Sequence, residues 1–473
     1  MTMILSASRS RTAQGRVLVL LTMSLGVLIA QIDTSVVNLA VKQIGAALNA
    51  GVTALQWVVD AYNLVYASLL LTAGTLADLF GRRRVFALGI ALFTLGSLVC
   101  GLAPNVTILI AGRAIAGLGA ALEIPTSLAI LTVAYPETNE RSRALGVWAS
   151  CNGLAFIIGP TLGGVLVDAA GWRSIFLLII PLALVTLALT FTTVPESKDP
   201  KGRKLDLPGQ GLAVAALGAL ALAVIEGPRW GWTSLGSVIA FGVSIAGAAS
   251  FLRRQAGSDA ALVPLAMLKN RVFAASLAIA AAMTFGMYAM LFLTPLYLQA
   301  ARGNSALIAG VELLPMSIAF VIVSQSSGKI ANAFGPRLPM VAGMAAMGAG
   351  LFMLALIAVN DSLALIEAAL LVIGCGLGLN TAPVNGVAVA NVPPARSGTA
   401  SGLVNTARMI GATLGVAVLG AVFATFAGGS SEHSRIIAGL VPAYVGGGIG
   451  EFAGAIAAFV FIRRDSLQQK AKL

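Results

Sequence analysis

Ionisable side chains within long apolar runs are the residues of this sequence that could do chemistry. Asp33 lies late in the first apolar run, and Arg113 and Glu123 lie in the fourth. A carboxyl group in a dehydrated site keeps its proton, and a nearby guanidinium favours proton release, so a group under both influences can exchange protons. We predict proton transfer at all three residues. The alternatives are a static ion pair for Asp33 and Arg113, and simple contact with an aqueous cavity for Glu123.

Further polar residues within the apolar runs could line a cavity for protons or a small molecule. An ionisable group at the centre of a bilayer costs at least about 2.5 to 3.5 kcal/mol, so its presence indicates a functional site. The predicted cavity residues are Asn38, Asp60, Asn152, Tyr288, Glu312 and Asn380. Glu451 has the weakest case, because it lies in the last apolar run, where we expect a peripheral helix.

The composition places the chain in a lipid bilayer. Of its 473 residues, 58% are hydrophobic and 10% are charged, whereas charged residues make up about 25% of soluble domains. The net charge of +12 does not indicate nucleic-acid binding, because the Lys and Arg residues lie in short loops without interleaved aromatic residues. The predicted partners are the bilayer, a small-molecule substrate and protons, with no nucleic acid, and we expect a monomer.

The sequence has no pattern typical of catalysis or cofactor binding. Cys100, Cys151 and Cys375 lie within apolar runs and lack the spacing of metal ligands. His433 lies alone in a polar loop, and no GxxxxGK[ST] phosphate-binding loop occurs. We therefore expect no enzymatic activity, no metal and no cofactor.

Runs of about 20 apolar residues are long enough to cross the bilayer as helices, and the sequence contains fourteen. This predicts an all-α polytopic membrane protein. Most Lys and Arg residues fall in alternate loops, and the other loops carry only Lys42, Arg173, Arg229, Arg302 and Arg435. The positive-inside rule then places both termini in the cytoplasm and the protein in the cell membrane.

A basic loop between the second and third runs has a weaker copy later in the chain. Each residue of the first set lies 254 residues before its partner: Gly74, Asp78, Gly81 and Arg83 pair with Gly328, Asn332, Gly335 and Arg337. Internal duplication of apolar helices is typical of secondary transporters. It predicts two six-helix halves, 1–194 and 271–473, separated by a linker with two extra helices, 195–270.

The fifth run contains closely spaced small residues. Pro160 removes a backbone donor, and Gly159, Gly163 and Gly164 allow close helix approach. This pattern predicts a kinked contact surface suited to gating between the halves. The alternative is ordinary packing of small residues.

These motifs resemble those of the major facilitator superfamily, in particular its 14-span drug:proton antiporter branch. The loop with Gly74, Asp78, Gly81, Arg82 and Arg83 is similar to the signature between the second and third spans. The segments around Arg113, around Gly159–Gly164 and around Asp33 resemble signatures of the fourth, fifth and first spans. Departures from the family pattern occur at Ser35, Lys42, Leu79, Ala116 and Ala155.

The resemblance implies the major facilitator fold, with Asp78, Arg82 and Arg83 as a cytoplasmic charge relay that holds the two halves together. It also implies proton-coupled antiport, by alternating access, that exports amphipathic, cationic or neutral drugs from the cytoplasm or inner leaflet. One alternative is a dedicated exporter of a single endogenous metabolite, lipid or antibiotic. Another is a transporter-shaped sensor or scaffold that moves nothing.

Overall fold

The computed structural model describes residues 13–199, 205–258, 261–358, 360–393, 396–428, 432–463 and 466–467. Within these ranges the chain has no strand, and fourteen helices are long and apolar enough to cross a membrane, which confirms the predicted all-α polytopic fold. The helices are α1 (Ala13–Leu48), α2 (Val52–Phe80), α3 (Arg82–Leu102), α4 (Val106–Ala134), α5 (Thr138–Ala170), α6 (Arg173–Thr193), α7 (Leu207–Trp230), α8 (Leu235–Gly257), α9 (Arg271–Ala300), α10 (Ala306–Phe334, broken at Leu313), α11 (Arg337–Ala355), α12 (Leu363–Ala390), α13 (Ser397–Ala427) and α14 (His433–Phe461).

The helices form two groups and a hairpin. Helices α1–α6 pack mainly with one another, as do α9–α14, while α7 and α8 pair together and contact α2 and α13. The predicted boundaries 1–194, 195–270 and 271–473 follow these groups and stay a prediction. We call the end of the bundle where α1 begins and α14 ends the terminal face, and the other end the opposite face.

The duplicated loop has the same backbone turn in both copies. Gly81 follows α2 with φ of 105°, and Gly335 follows α10 with φ of 82°. This region of φ is accessible to glycine but disfavoured for other residues. The internal duplication is therefore visible in the backbone as well as in the sequence.

Glycines on α5 and α13 bring each helix close to the first helix of its own group. A Cβ atom on Gly159 would lie 1.8 Å from Ser35 Oγ on α1, and one on Gly163 would lie 2.8 Å from Val36. On α13, Gly415 lies so close to α9 that a Cβ would be 2.0 Å from the Phe285 carbonyl oxygen. The same contact is thus built twice, once in each group.

Helix α1 continues to Leu48, well past residue 40, where its apolar run ends. The extra turns carry polar side chains that bond to other helices. Lys42 Nζ donates to the Gln299 carbonyl at 2.7 Å, and Gln43 Nε2 donates to the Val167 carbonyl at 3.2 Å. Tertiary contacts therefore extend the helix beyond the point that hydrophobicity predicts.

Hydrogen bonds near the opposite face join the two groups. Besides the Lys42 bond to Gln299, Gln56 Nε2 on α2 donates to the Val416 carbonyl on α13 at 3.0 Å. Asp168 at the end of α5 accepts the amides of Ala306 and Leu307 at the start of α10, at 3.0 and 2.9 Å. Such a carboxylate caps the helix and complements its dipole.

The two groups separate toward the terminal face along α5 and α10. A Cβ on Gly153 would lie 3.1 Å from Val321 of α10, whereas a Cβ on Gly146, two turns nearer the terminal face, would meet open space. On this side of the bundle, the contact between α5 and α10 therefore extends from the opposite face as far as Gly153 and does not include Gly146.

The α7–α8 hairpin is attached to α2 by polar side chains. Gln210 Nε2 on α7 donates to the Ser68 carbonyl at 2.6 Å, and Trp57 Nε1 on α2 donates to Glu226 Oε1 at 3.0 Å. Apolar residues of α7 also pack against Ala417 and Ala421 of α13. The hairpin thus covers the seam where α2 meets α13.

We expect Gly415→Ala to lower thermal stability, because overpacking a tight helix contact costs about 1–3 kcal/mol. Thermal unfolding of the purified protein in detergent measures this. Gly398→Ala on the same helix is the matched control, since a Cβ there meets open space, and its stability should be unchanged or slightly raised. Equal melting temperatures for the two variants would contradict the close α9–α13 contact.

Asp206 gives a pH-dependent contact at the start of the hairpin. Burial alone would raise the pKa of Asp206, but hydrogen bonds from Arg254, the Gly209 amide and Gln255 outweigh it and hold the pKa below the usual value. A lowered pKa stabilises the folded protein at pH values above the unfolded-state pKa of about 3.9. That stabilisation is lost as the pH falls through the folded-state pKa. Asp206→Asn should therefore lower the melting temperature at pH 7, and the difference from wild type should shrink with acidification. A difference that does not depend on pH would contradict this role of the carboxylate.

Candidate functional site

A buried ion pair joins three helices of the first group. Arg113 Nη1 on α4 lies 2.5 Å from Asp33 Oδ2 on α1, and Arg113 Nε donates to the Val58 carbonyl on α2 at 3.0 Å. The Arg113 side chain is 2% exposed and that of Asp33 is 1% exposed. The two residues predicted as partners are therefore in direct contact.

Aromatic rings enclose this ion pair. The Arg113 guanidinium lies 4.6 Å from the ring centroid of Tyr62 and 5.9 Å from that of Phe176, distances at which a desolvated cation is attracted by the ring face. The second carboxylate oxygen of Asp33 is buried without a hydrogen-bond partner among the described residues. That oxygen is the atom at which Asp33 could accept a proton while Arg113 stays in place.

Glu123 lies in an apolar interior without a counter-charge. Its side chain is fully buried, and neither carboxylate oxygen has a hydrogen-bond partner in the part of the chain that the structure describes. Gly26 on α1 makes room for it, because a Cβ there would lie 2.5 Å from Glu123 Oε1. An isolated buried carboxyl group is favoured in its neutral form, so this site suits a bound proton.

The structure does not bring Glu123 into the ion pair of Asp33 and Arg113. Glu123 lies ten positions after Arg113 on α4, which corresponds to about 15 Å along a helix. The three predicted proton residues therefore form two sites at different depths, with Asp33 and Arg113 nearer the opposite face and Glu123 nearer the terminal face.

Three of the predicted cavity residues are buried on α1, α2 and α9. Asp60 is fully buried and shares a face of α2 with Gln56, one turn earlier, which bonds to α13. Asn38 Nδ2 on α1 donates to the Thr34 carbonyl at 3.3 Å. Tyr288 is buried on α9.

The other predicted cavity residues lie elsewhere or cannot be placed. Asn380 packs within the second group, since a Cβ on Gly343 of α11 would lie 2.3 Å from its Nδ2 atom. Glu312 accepts from Asn304 Nδ2 at 2.7 Å, near the opposite face. The side chain of Asn152 lies outside the described residues. Of the five predicted residues whose side chains the structure describes, Asn380 and Glu312 lie apart from the other three.

The predicted charge relay has its contacts within the first group. Arg82 donates to Asp78 Oδ1 from Nε at 3.0 Å and from Nη2 at 2.8 Å. The backbone amide of Arg83 donates to Glu196 Oε1 at 3.1 Å, in the segment after α6. The resemblance implies a link between the halves, but the contacts shown for this loop do not reach the second group.

Glu196 is a partner that sequence reasoning missed. Its carboxylate lies beside the turn, where a Cβ on Gly81 would be 2.7 Å from Oε1, and it is 3.7 Å from Arg84 Nε. An acidic residue just after the sixth apolar run, facing a basic loop, was the available signal. Gly74, by contrast, faces open space.

The glycines of the fifth helix serve the contact between the groups as well as the packing within one. A Cβ on Gly164 would lie 2.5 Å from Leu307 Cα on α10, and one on Gly310 would lie 2.2 Å from the Pro160 carbonyl oxygen. The motif of Gly159, Pro160, Gly163 and Gly164 is thus in contact with α1 on one side and α10 on the other. This is the location that gating between the halves requires.

Two further findings correct or extend the sequence expectations. Glu451 was expected at the periphery, but it is fully buried, and a Cβ on Gly286 of α9 would lie 2.8 Å from its Oε1 atom. Gln56, Gln299 and Asp168 join the groups near the opposite face, and no local pattern marked them. Their only sequence signal was a polar side chain in or beside an apolar run.

Comparisons with known proteins agree on the family. Residues 23–416 match the sequence profile of the Major Facilitator Superfamily. The multidrug resistance protein Stp of Mycobacterium tuberculosis is 40% identical over 417 residues, covering 88% of this chain and 78% of Stp. The methylenomycin A resistance protein of Bacillus subtilis is 35% identical, covering 87% and 88%. The multidrug efflux pump LfrA of Mycolicibacterium smegmatis is 32% identical, covering 95% and 88%.

Solved structures show the same fold at low sequence identity. A bacterial homologue of the human lysosomal transporter Spinster, in an inward-facing and occupied conformation, superimposes with a TM-score of 0.70 at 17% identity, covering 95% of this chain and 97% of that one. A D-xylose-proton symporter gives 0.66 at 15% identity, covering 94% and 98%. These likenesses show the fold alone.

Replacing one member of the buried ion pair should destabilise the protein. Asp33→Asn leaves the Arg113 charge uncompensated, and removing one partner of such a pair costs about 3–5 kcal/mol. We expect a lower melting temperature in detergent and partial recovery when Arg113→Gln is added. Glu137→Gln, at an exposed position, is the control. An unchanged melting temperature for Asp33→Asn would show that this carboxylate does not balance the guanidinium.

Proposed function

The chain belongs to the major facilitator superfamily, and on that premise we propose that it is a proton-coupled antiporter that exports amphipathic drugs and other toxic small molecules. It is a multi-pass membrane transporter and not an enzyme, and its relatives are multidrug and antibiotic efflux pumps. Export proceeds by alternating access, from the cytoplasm or the inner leaflet, and accepts cationic or neutral compounds.

The observation that carries the proposal is the set of buried carboxyl groups in the first group of helices. Asp33 has one oxygen paired with Arg113 and one unpaired, and Glu123 has both oxygens unpaired. Intramembrane carboxyl groups of this kind mark proton relays. A proton arriving on Asp33 weakens its attraction to Arg113, and a proton on Glu123 removes a buried charge.

Substrate export is coupled to proton movement if the two helix groups change their arrangement when these carboxyl groups bind or release a proton. Protons from outside bind Asp33 or Glu123 and favour the return of the empty transporter to the inward-facing state, and substrate binding there favours proton loss. The contacts at the opposite face, with Gly164 and Pro160 against α10, are then the ones that open when substrate is released. Inward and outward states alternate as the groups rock about a central site.

The orientation of the protein is part of the proposal. The terminal face carries the basic α2–α3 loop, with Arg82, Arg83 and Arg84, and a cytoplasmic location for it agrees with the positive-inside rule. Both termini are then cytoplasmic, in the cell membrane. The separation of α5 and α10 at this face supports an inward-facing state.

A second candidate is a dedicated exporter of one compound. It is favoured by the relatives whose names give a single antibiotic, such as the methylenomycin A resistance protein. Transport of several chemically unrelated dyes would exclude it, and transport of none of them would favour it.

The test is uptake of a fluorescent lipophilic cation into proteoliposomes under an imposed pH gradient, with protons released on substrate binding measured in parallel. Wild-type protein should accumulate the dye only with the gradient. The double variant Asp33→Asn with Glu123→Gln should lose both gradient-driven uptake and substrate-driven proton release, because no carboxyl group remains at either proton site.

Glu137→Gln serves as the matched control, since it removes an exposed carboxylate at the terminal face. It should transport and release protons as wild type does. Normal substrate-driven proton release in the double variant would overturn the assignment of coupling to Asp33 and Glu123.

A further inference from the structure

Arg408 on α13 carries a charge within the membrane that the protein does not balance. Its Nη2 atom donates to the Thr381 carbonyl at 3.3 Å, and its Nε atom is buried without a hydrogen-bond partner. No carboxylate lies within ion-pairing distance in the described ranges. The Arg408 side chain is half-buried and its guanidinium is always charged, so it can take a counter-charge from a group that reaches it.

The other arginine within a span shows what a paired guanidinium looks like here. Arg113 has Asp33 at 2.5 Å and a backbone carbonyl at 3.0 Å. Among the described residues, Arg408 has only one long hydrogen bond, from Nη2 to the Thr381 carbonyl. The two arginines are therefore not equivalent: Arg113 is held in a complete ion pair, whereas Arg408 has donors left to offer.

Arg408 lies where the two helix groups meet. The next residue, Met409, packs against the apolar cluster of the first group. Ile410 lines a small cavity with Leu64 and Ala67 of α2. Substrate sites of this class of transporter lie at the interface between the repeats, so the guanidinium is placed beside the transport pathway.

Neighbouring polar groups converge on the same place. Asn385 Nδ2 donates at 3.4 Å to the Thr381 carbonyl, the same oxygen that Arg408 contacts. Tyr288 lies on α9 and is buried. Thr284, one turn before Tyr288, donates its hydroxyl to the Arg408 backbone carbonyl at 2.5 Å, which fixes α13 against α9. The site therefore offers hydrogen-bond donors on a rigid support.

We propose that Arg408, with Asn385 and Tyr288 beside it, binds the carboxylate of an amphipathic substrate. A guanidinium can hold a carboxylate by two parallel charge-assisted hydrogen bonds, and the bound substrate supplies the missing counter-charge. The inference rests on the proposed drug export and deepens it, because it extends the substrates from cationic and neutral compounds to zwitterionic and acidic ones.

The test compares two dyes that differ only at the anionic group: a xanthene dye with a free carboxylate and its ethyl ester. Transport of each is measured in proteoliposomes as a function of dye concentration. Arg408→Gln should raise KM for the acid roughly tenfold or more and leave KM for the ester nearly unchanged, because only the acid forms the charge-assisted bonds. Arg408→Lys should restore part of the preference for the acid.

Arg396→Gln is the matched control, since it removes an exposed arginine from the start of the same helix. It should leave both dyes unaffected. If Arg408→Gln reduces transport of the acid and the ester equally, Arg408 has a structural or general role. If it transports both dyes as wild type does, Arg408 has no role in binding the carboxylate. Either result overturns the proposal.

Binding in detergent separates this proposal from the proposed transport. The acid should raise the melting temperature of the wild-type protein more than the ester does, and Arg408→Gln should remove that difference. This readout needs neither a proton gradient nor transport. Equal stabilisation of wild type by acid and ester would overturn the carboxylate site even if both dyes are exported.

Discussion

The cost of placing charge in a low-dielectric interior is the constraint on which the first group of helices depends. Arg113 cannot lose its charge, and it is satisfied only because Asp33 on α1 and the Val58 carbonyl on α2 both reach it. One side chain on α4 therefore fixes the relative positions of three helices. Because breaking such a pair is expensive, any event that neutralises Asp33 acts on all three helices together.

The buried carboxyl groups are distributed over both groups of helices. Glu123 faces a glycine of α1 in the first group, and Glu451 faces a glycine of α9 in the second. In each case the glycine has no side chain, and the carboxyl group occupies the space that a side chain would fill. A proton can reach such a carboxyl group without a large cavity, so the proposed proton transfer needs no more space than the glycine leaves.

Glycine gives this bundle its close helix contacts, within each group and between the groups. Gly159 and Gly163 hold α5 against α1, as Gly415 holds α13 against α9, whereas Gly164 contacts α10 of the other group. Small residues let helix backbones approach closely without interlocking side chains. The same residue type therefore makes the close contacts within a group and the close contact between the groups.

The sequence by itself determined the properties that depend on residue type along a short stretch. The lengths of the apolar runs predicted fourteen membrane helices, the shared offset of 254 residues predicted the duplication, and charged residues within apolar runs predicted Asp33, Arg113 and Glu123 as one set. The apolar lengths and the charges within them are local signals, because each acts within a single helix, and the duplication is read by comparing two short stretches of the sequence.

Only the tertiary structure decided which side chains meet. It placed Asn380 against α11, paired the α2–α3 loop with Glu196 and buried Glu451. Within the part of the chain that the structure describes, it also left Arg408 without a carboxylate partner. It also separated Glu123 from Asp33, which the sequence had grouped together. The physical reason is that the contacts of a side chain depend on which helix faces pack together. Gln56 bonds to Val416, 360 residues away, and no local pattern in either helix specifies that contact.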